Sequence, residues 1–173
     1  MKTNTFIIAV MLLLGSVVAK AQTEAPAQKN LKQFIGKWEG KNTVIEMGGQ
    51  TLHTDYHAEF KAAASGTGLS MHEWFTAEGL GDYVGENIIG YDPNTSQIHW
   101  YSIDNTGTCH DHFGYWMSPT HLFIQYQGVM EGKVFVEQLD MEFTSPTQMH
   151  LKLTGMVNGT VTQRIDGTFK KMQ

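Results

Sequence analysis

Residues 121–143, HLFIQYQGVMEGKVFVEQLDMEF, carry the pattern that decides the fold. Leu122, Ile124 and Tyr126 alternate with their neighbours in the first half, and Leu139 and Met141 do the same in the second. Strand side chains have a period of two, so each half presents one dry face and one wet face. Glu131-Gly132 reads as a two-residue hairpin loop with glycine supplying the positive φ. That loop pairs Leu122, Ile124 and Tyr126 with Met141, Leu139 and Glu137, so the apolar faces match across the hairpin. It also points Glu137 inward beside Tyr126.

The same rhythm extends in both directions. Turn signals recur at residues 47–50, 65–68, 91–94, 105–107, 145–147 and 158–159, and short alternating runs lie between them. In residues 51–61, Leu52, Tyr56, Ala58 and Phe60 share one face, opposite His53, Asp55, His57, Glu59 and Lys61. Ten strands are predicted, at about 37–47, 51–64, 69–76, 83–91, 97–104, 108–117, 121–130, 133–143, 148–156 and 160–171. Closely spaced strands joined by hairpins give an all-β, up-and-down antiparallel barrel of eight to ten strands. Leu31 to Ile35 is predicted to form a short helical turn ahead of it. The domain spans 31–173, with 22–30 (QTEAPAQKN) as a flexible leader.

The first 21 residues read as a secretory signal peptide. They have a lysine at position 2, an apolar stretch from Phe6 to Ala19, and a small-x-small site at Ala19-Lys20-Ala21. Cleavage there leaves Gln22 first, where a lipid-anchored bacterial protein would need cysteine. The expected protein is therefore exported to a bacterial periplasm or medium, without a membrane anchor. The chain has one cysteine, Cys109, expected to be a packed thiol without a disulfide partner. Its 12 basic residues, two of them in the signal peptide, face 17 acidic ones. With no basic run and Arg164 as the only arginine, nucleic acid is a poor partner. A monomer or small homo-oligomer is expected.

Phe34-Ile35-Gly36-Lys37-Trp38 resembles the Gly-x-Trp opening of the calycins, the superfamily of lipocalins and fatty-acid-binding proteins. Ile88-Ile89-Gly90-Tyr91-Asp92-Pro93, followed by Gln97 to Asp104, is similar to a family of exported bacterial lipocalin-like proteins without an assigned activity. The resemblance implies a calycin-like barrel in which Trp38 closes one end and a basic side chain of the last strand covers it. Arg164 is the candidate for that cover, with binding of a ligand carboxylate as its alternative role.

The segment 97–117 holds the densest chemistry. A three-residue loop at Asn105-Thr106-Gly107 pairs Ser102 with His110, Trp100 with His112, and Ile98 with Gly114. One face gathers Trp100, Ser102, Asp104, His110, His112 and Trp116; the other gathers His99, Tyr101, Ile103, Cys109, Asp111, Phe113 and Tyr115. The first is taken as inward because Ile98, Trp100 and Trp116 make it the more apolar. His110 and His112, two residues apart on a strand, lie about 6.5–7 Å apart and are close enough to share a metal ion. A third ligand such as Asp104 or Glu137 would be required, and neither metal nor cofactor is expected.

These features point to a container for a small, partly apolar molecule. Aromatic walls (Trp38, Tyr56, Phe60, Trp100, Trp116, Tyr126) would supply contact, with Ser102, Asp104, His110, His112, Glu137 and Arg164 as polar partners. Haem held by a histidine is one form of that reading. The alternatives are an acid–base enzyme using His110, His112 and a desolvated Glu137 of raised pKa, or a filled scaffold whose working surface carries His53, His57 and Glu59. No nucleophile elbow or phosphate loop appears.

Overall fold

The computed structural model of the protein describes residues 25–173. The signal peptide expected at 1–21 and the start of the leader lie outside the described residues. Ten antiparallel strands close on themselves in a simple meander: β1 (Gly36–Met47), β2 (Gln50–Ala63), β3 (Gly68–Ala77), β4 (Gly81–Asp92), β5 (Gln97–Asp104), β6 (Cys109–Ser118), β7 (His121–Met130), β8 (Lys133–Ser145), β9 (Gln148–Val157) and β10 (Thr160–Lys171). Each strand pairs with its neighbours in sequence, and β1 pairs with β10 to complete the barrel. Closure leaves no unpaired strand edge.

Both hairpins read from the sequence have their expected registers. Leu122, Ile124 and Tyr126 pair with Met141, Leu139 and Glu137, and Ser102 and Trp100 pair with His110 and His112. Glu131 and Gly132 both have positive φ, at 51° and 76°, as a type I′ turn requires. Ile98 and Trp100 are buried, so the face chosen as inward is the inward one. Cys109 lies on the opposite face and is exposed, not packed, with its Sγ 2.7 Å from the Tyr101 hydroxyl.

A bulge in β1 gives the first strand two phases. Trp38 and Gly40 point inward, then one extra residue at Lys41-Asn42 shifts the phase so that Thr43 and Ile45 do. Asn42 takes φ 54° and donates its backbone N–H to Asp55 Oδ1 at 3.0 Å. Gly40 is required by close approach, because a Cβ there would meet Thr43 Oγ1 at 2.7 Å and the Phe169 ring at 2.9 Å.

One end of the barrel is plugged. Helix α1 (Pro26–Leu31) and the 3₁₀ turn Lys32–Phe34 run across it. The helical segment thus begins at Pro26, inside the stretch read as leader, because proline suits a first helical turn and Leu31 has a core to enter. Phe34 is fully buried and meets Phe60, Phe143 and Trp100 at centroid distances of 5.0, 4.8 and 5.8 Å. Trp38 donates its indole N–H to the Phe34 carbonyl at 2.6 Å. The basic cover over Trp38 is Lys171, whose Nζ lies 4.8 Å from the ring centroid and donates to Gln33 O at 3.1 Å. Arg164 does not take that role: in β10 Ile165, Gly167 and Phe169 are the inward phase, and Arg164 pairs outside with Glu46 at 3.1 Å.

Removing the plug's central ring leaves an aromatic-lined void that rigid strands cannot collapse. Phe34→Ala should therefore cost about 3–5 kcal/mol in a urea unfolding titration. A loss below about 1 kcal/mol would contradict the sealing role.

Candidate functional site

Above the plug the barrel keeps a cavity of about 290 Å³. Trp100 belongs both to its wall and to the packing around Phe34, and Met47, Thr106, Thr108 and Met130 belong to the rim near the opposite turns. Met71, Phe75, Phe135, Leu139, Leu151, Leu153 and Ile165 supply apolar wall. Among the described residues that line it there is no lysine or arginine, while Glu73, Asp104 and Glu137 are all present.

Two polar clusters face each other across this space. In the strand order of the barrel, β3 and β8 stand five places apart, on opposite sides. On the β2–β4 side, Glu73 accepts hydrogen bonds from the Tyr56 hydroxyl, from Asn87 Nδ2 at 3.1 Å and from the Tyr83 hydroxyl at 3.4 Å. Trp100 Nε1 donates to Asn87 Oδ1 at 2.9 Å and extends the chain to β5. Burial raises the Glu73 pKa, and these three donors only partly oppose that shift. Tyr56 is held well above its usual range by burial first and the neighbouring Glu73 second, so it remains a phenol.

On the other side, Glu137 Oε2 lies 2.8 Å from His112 Nε2 and 3.5 Å from His110 Nδ1. His110 and His112 come from β6 and Glu137 from β8. Between them β7 contributes Tyr126, whose ring stacks on His110 at a centroid distance of 3.9 Å. His112 Nδ1 faces the Trp100 carbonyl at 3.4 Å. Burial alone would raise the Glu137 pKa, but hydrogen bonds from His110 and His112, and then their charge, bring it down to about 2. The raised value expected from desolvation is therefore corrected: both histidines, not Tyr126, are the partners that reverse it.

Of the sequence-predicted site residues, Tyr56, Phe60, Trp100, Ser102, Asp104, His110, His112 and Glu137 line the cavity. Asp104 is also committed to its own turn, accepting from the backbone N–H of Thr106 at 2.8 Å and of Thr108 at 3.1 Å. Trp38 and Trp116 lie instead with the plug, Tyr126 backs His110, and Arg164 is outside. Sequence reasoning missed Glu73, Tyr83 and Asn87. The signal for Glu73 was present, since Leu69, Met71, Glu73 and Phe75 form one phase of β3 and the carboxyl sits in the dry one. Asn87 had no such signal, because both phases of β4 mix apolar and polar residues.

No protein-family model matches the sequence, and no curated protein matches it. Solved structures do share its fold. Rv2717c from M. tuberculosis aligns with TM-score 0.62 at 10% identity, over 86% of this chain and 99% of that one. EF1p2_mFAP2b bound to DFHBI aligns with TM-score 0.46 at 12% identity, over 84% and 99%. At 10% identity the first likeness is one of fold, an antiparallel β-barrel, and of fold alone.

The Glu73 shift has a measurable sign. A carboxyl whose folded pKa lies above the free value of 4.5 contributes stability fully below that value and loses it as pH rises through the folded pKa. Glu73→Gln keeps an acceptor for Asn87 and turns a donor toward Tyr56. It should raise Tm by a few degrees at about pH 8 and lose that advantage near pH 4. An equal effect at both pH values would contradict the assignment.

Proposed function

We propose that this protein is an exported carrier that holds a small, partly apolar, neutral or cationic molecule in its barrel. The observation that supports this most is the composition of the cavity. Aromatic and aliphatic walls surround two buried carboxyl clusters, and no lysine or arginine among the described residues lines the space. Such a site favours a ligand with an apolar body and hydrogen-bond donors, an amine or a hydroxyl, because carboxylates accept and an anion would meet like charge. A free fatty acid suits it poorly, since Arg164, the one arginine of the chain, is paired outside with Glu46.

A second reading, proton transfer on a bound molecule, is favoured by the opposite pulls on the two carboxyls. Glu73 is pushed up and Glu137 down to about 2, the pattern that separates an acid from a base. The readings part on whether a bound molecule leaves chemically changed.

The container reading is tested with 1-aminoanthracene, a flat aromatic amine whose emission rises in apolar surroundings. The protein should bind one equivalent, with micromolar affinity as an order of magnitude. Leu153→Trp, which fills the cavity from the β9 wall, should weaken binding by about tenfold or more while the barrel still melts cooperatively. Binding that survives Leu153→Trp unchanged, or no binding by the parent protein, would contradict the reading.

A further inference from the structure

We infer that His110, His112 and Glu137 form a site for one divalent transition-metal ion of the zinc class, with its remaining coordination position open to the cavity. The three candidate ligand atoms all lie within 4.8 Å of one another. Two of the separations, 2.8 and 3.5 Å, are measured to a single carboxylate oxygen. Ligands bound at about 2.0–2.1 Å around a tetrahedral ion stand about 3.3 Å apart, so small side-chain rotations admit an ion.

The cluster is built rather than incidental. Strand alternation puts His110 and His112 on the same inward face of β6, and β8 brings Glu137 to them across β7. Each ring is also aimed from behind. With Nδ1–H of His112 donated to the Trp100 carbonyl, a metal ion would take the place of the proton that Nε2 shares with Glu137. A backbone carbonyl is a common outer partner of a metal-binding histidine, fixing both tautomer and ring orientation. His110 is held by the face of Tyr126, with 16° between the ring planes. Two imidazoles turned onto one carboxylate oxygen place three lone-pair donors around one point.

The donor set selects the ion. Two imidazole nitrogens and one carboxylate oxygen suit zinc and its neighbours, whereas calcium and magnesium prefer all-oxygen surroundings. Three protein ligands leave a position for water or for a donor atom of a bound molecule. His110, His112 and Glu137 all line the cavity, so that position faces the space where a ligand would lie. The site does not depend on the carrier reading, because its ligands stand whether or not an organic molecule fills the barrel. It differs from the outer pairs His72–Glu86, His99–Asp111, His121–Asp140 and His150–Asp166, each of which joins one histidine to one carboxylate near solvent.

The test is a Co²⁺ titration of the chelator-stripped full chain, read by visible absorbance. One saturable equivalent is expected, with the intense bands of a four- or five-coordinate ion, and Zn²⁺ should displace it. His112→Ala and Glu137→Gln should each weaken binding more than about 100-fold, and His150→Ala should not. If either variant fails to fold, Zn²⁺ added to the parent protein should shift the ring nitrogens of His110 and His112 in NMR before those of the outer histidines. The absence of a saturable equivalent would overturn the inference, as would shifts confined to the outer histidines. The trio would then be an ion pair held by protons.

Discussion

The pairing of β1 with β10 is the constraint from which the rest of the structure follows. It turns a meander with two raw edges into a closed wall and gives every strand an inside. An inward side chain then loses most of its access to water, so a polar one must find partners within the barrel. Glu73 finds two tyrosines and an asparagine; Glu137 finds two histidines. The bulge in β1 is part of the same closure. It shifts the strand by one residue relative to both neighbours, so Trp38 serves the plug and Ile45 the cavity wall.

The plug divides the barrel into a filled half and a hollow half. Phe34, Trp38, Trp116 and Phe143 pack into the filled half, where their area supports the fold. The hollow half keeps its volume because its wall mixes carboxyl clusters with aliphatic residues. Packing it solid with apolar groups would desolvate those carboxyls further, on the side that their wall partners do not cover. Trp100 joins the halves, with one ring edge toward Phe34, its N–H on Asn87 and its carbonyl behind His112. Both polar clusters thus lean on one residue of β5.

Strand number, strand order and two registers were legible because a period of two, read across a short turn, leaves little freedom. Leu122 against Met141 and Trp100 against His112 follow from loop length and parity alone. Height along the barrel was not legible. Parity says that Trp38 and Trp116 belong with inward phases, but not that a segment outside the strands fills the end they occupy. The cover over Trp38 failed for a related reason. Lys171 lies at the very end of β10, directly opposite Trp38, whereas Arg164 is seven residues earlier and out of phase. Glu73 was legible in the phase of Leu69 and Met71, whereas its partners Tyr83 and Asn87 come from β4, whose pattern is mixed.

Native mass spectrometry of the full chain, purified gently from its own source and repeated after denaturation, tests the central claim most directly. The account predicts a mass above that of the polypeptide, containing a small organic molecule released on unfolding. A native spectrum showing the bare polypeptide, or the polypeptide with metal alone, would contradict the barrel as a container for such a molecule.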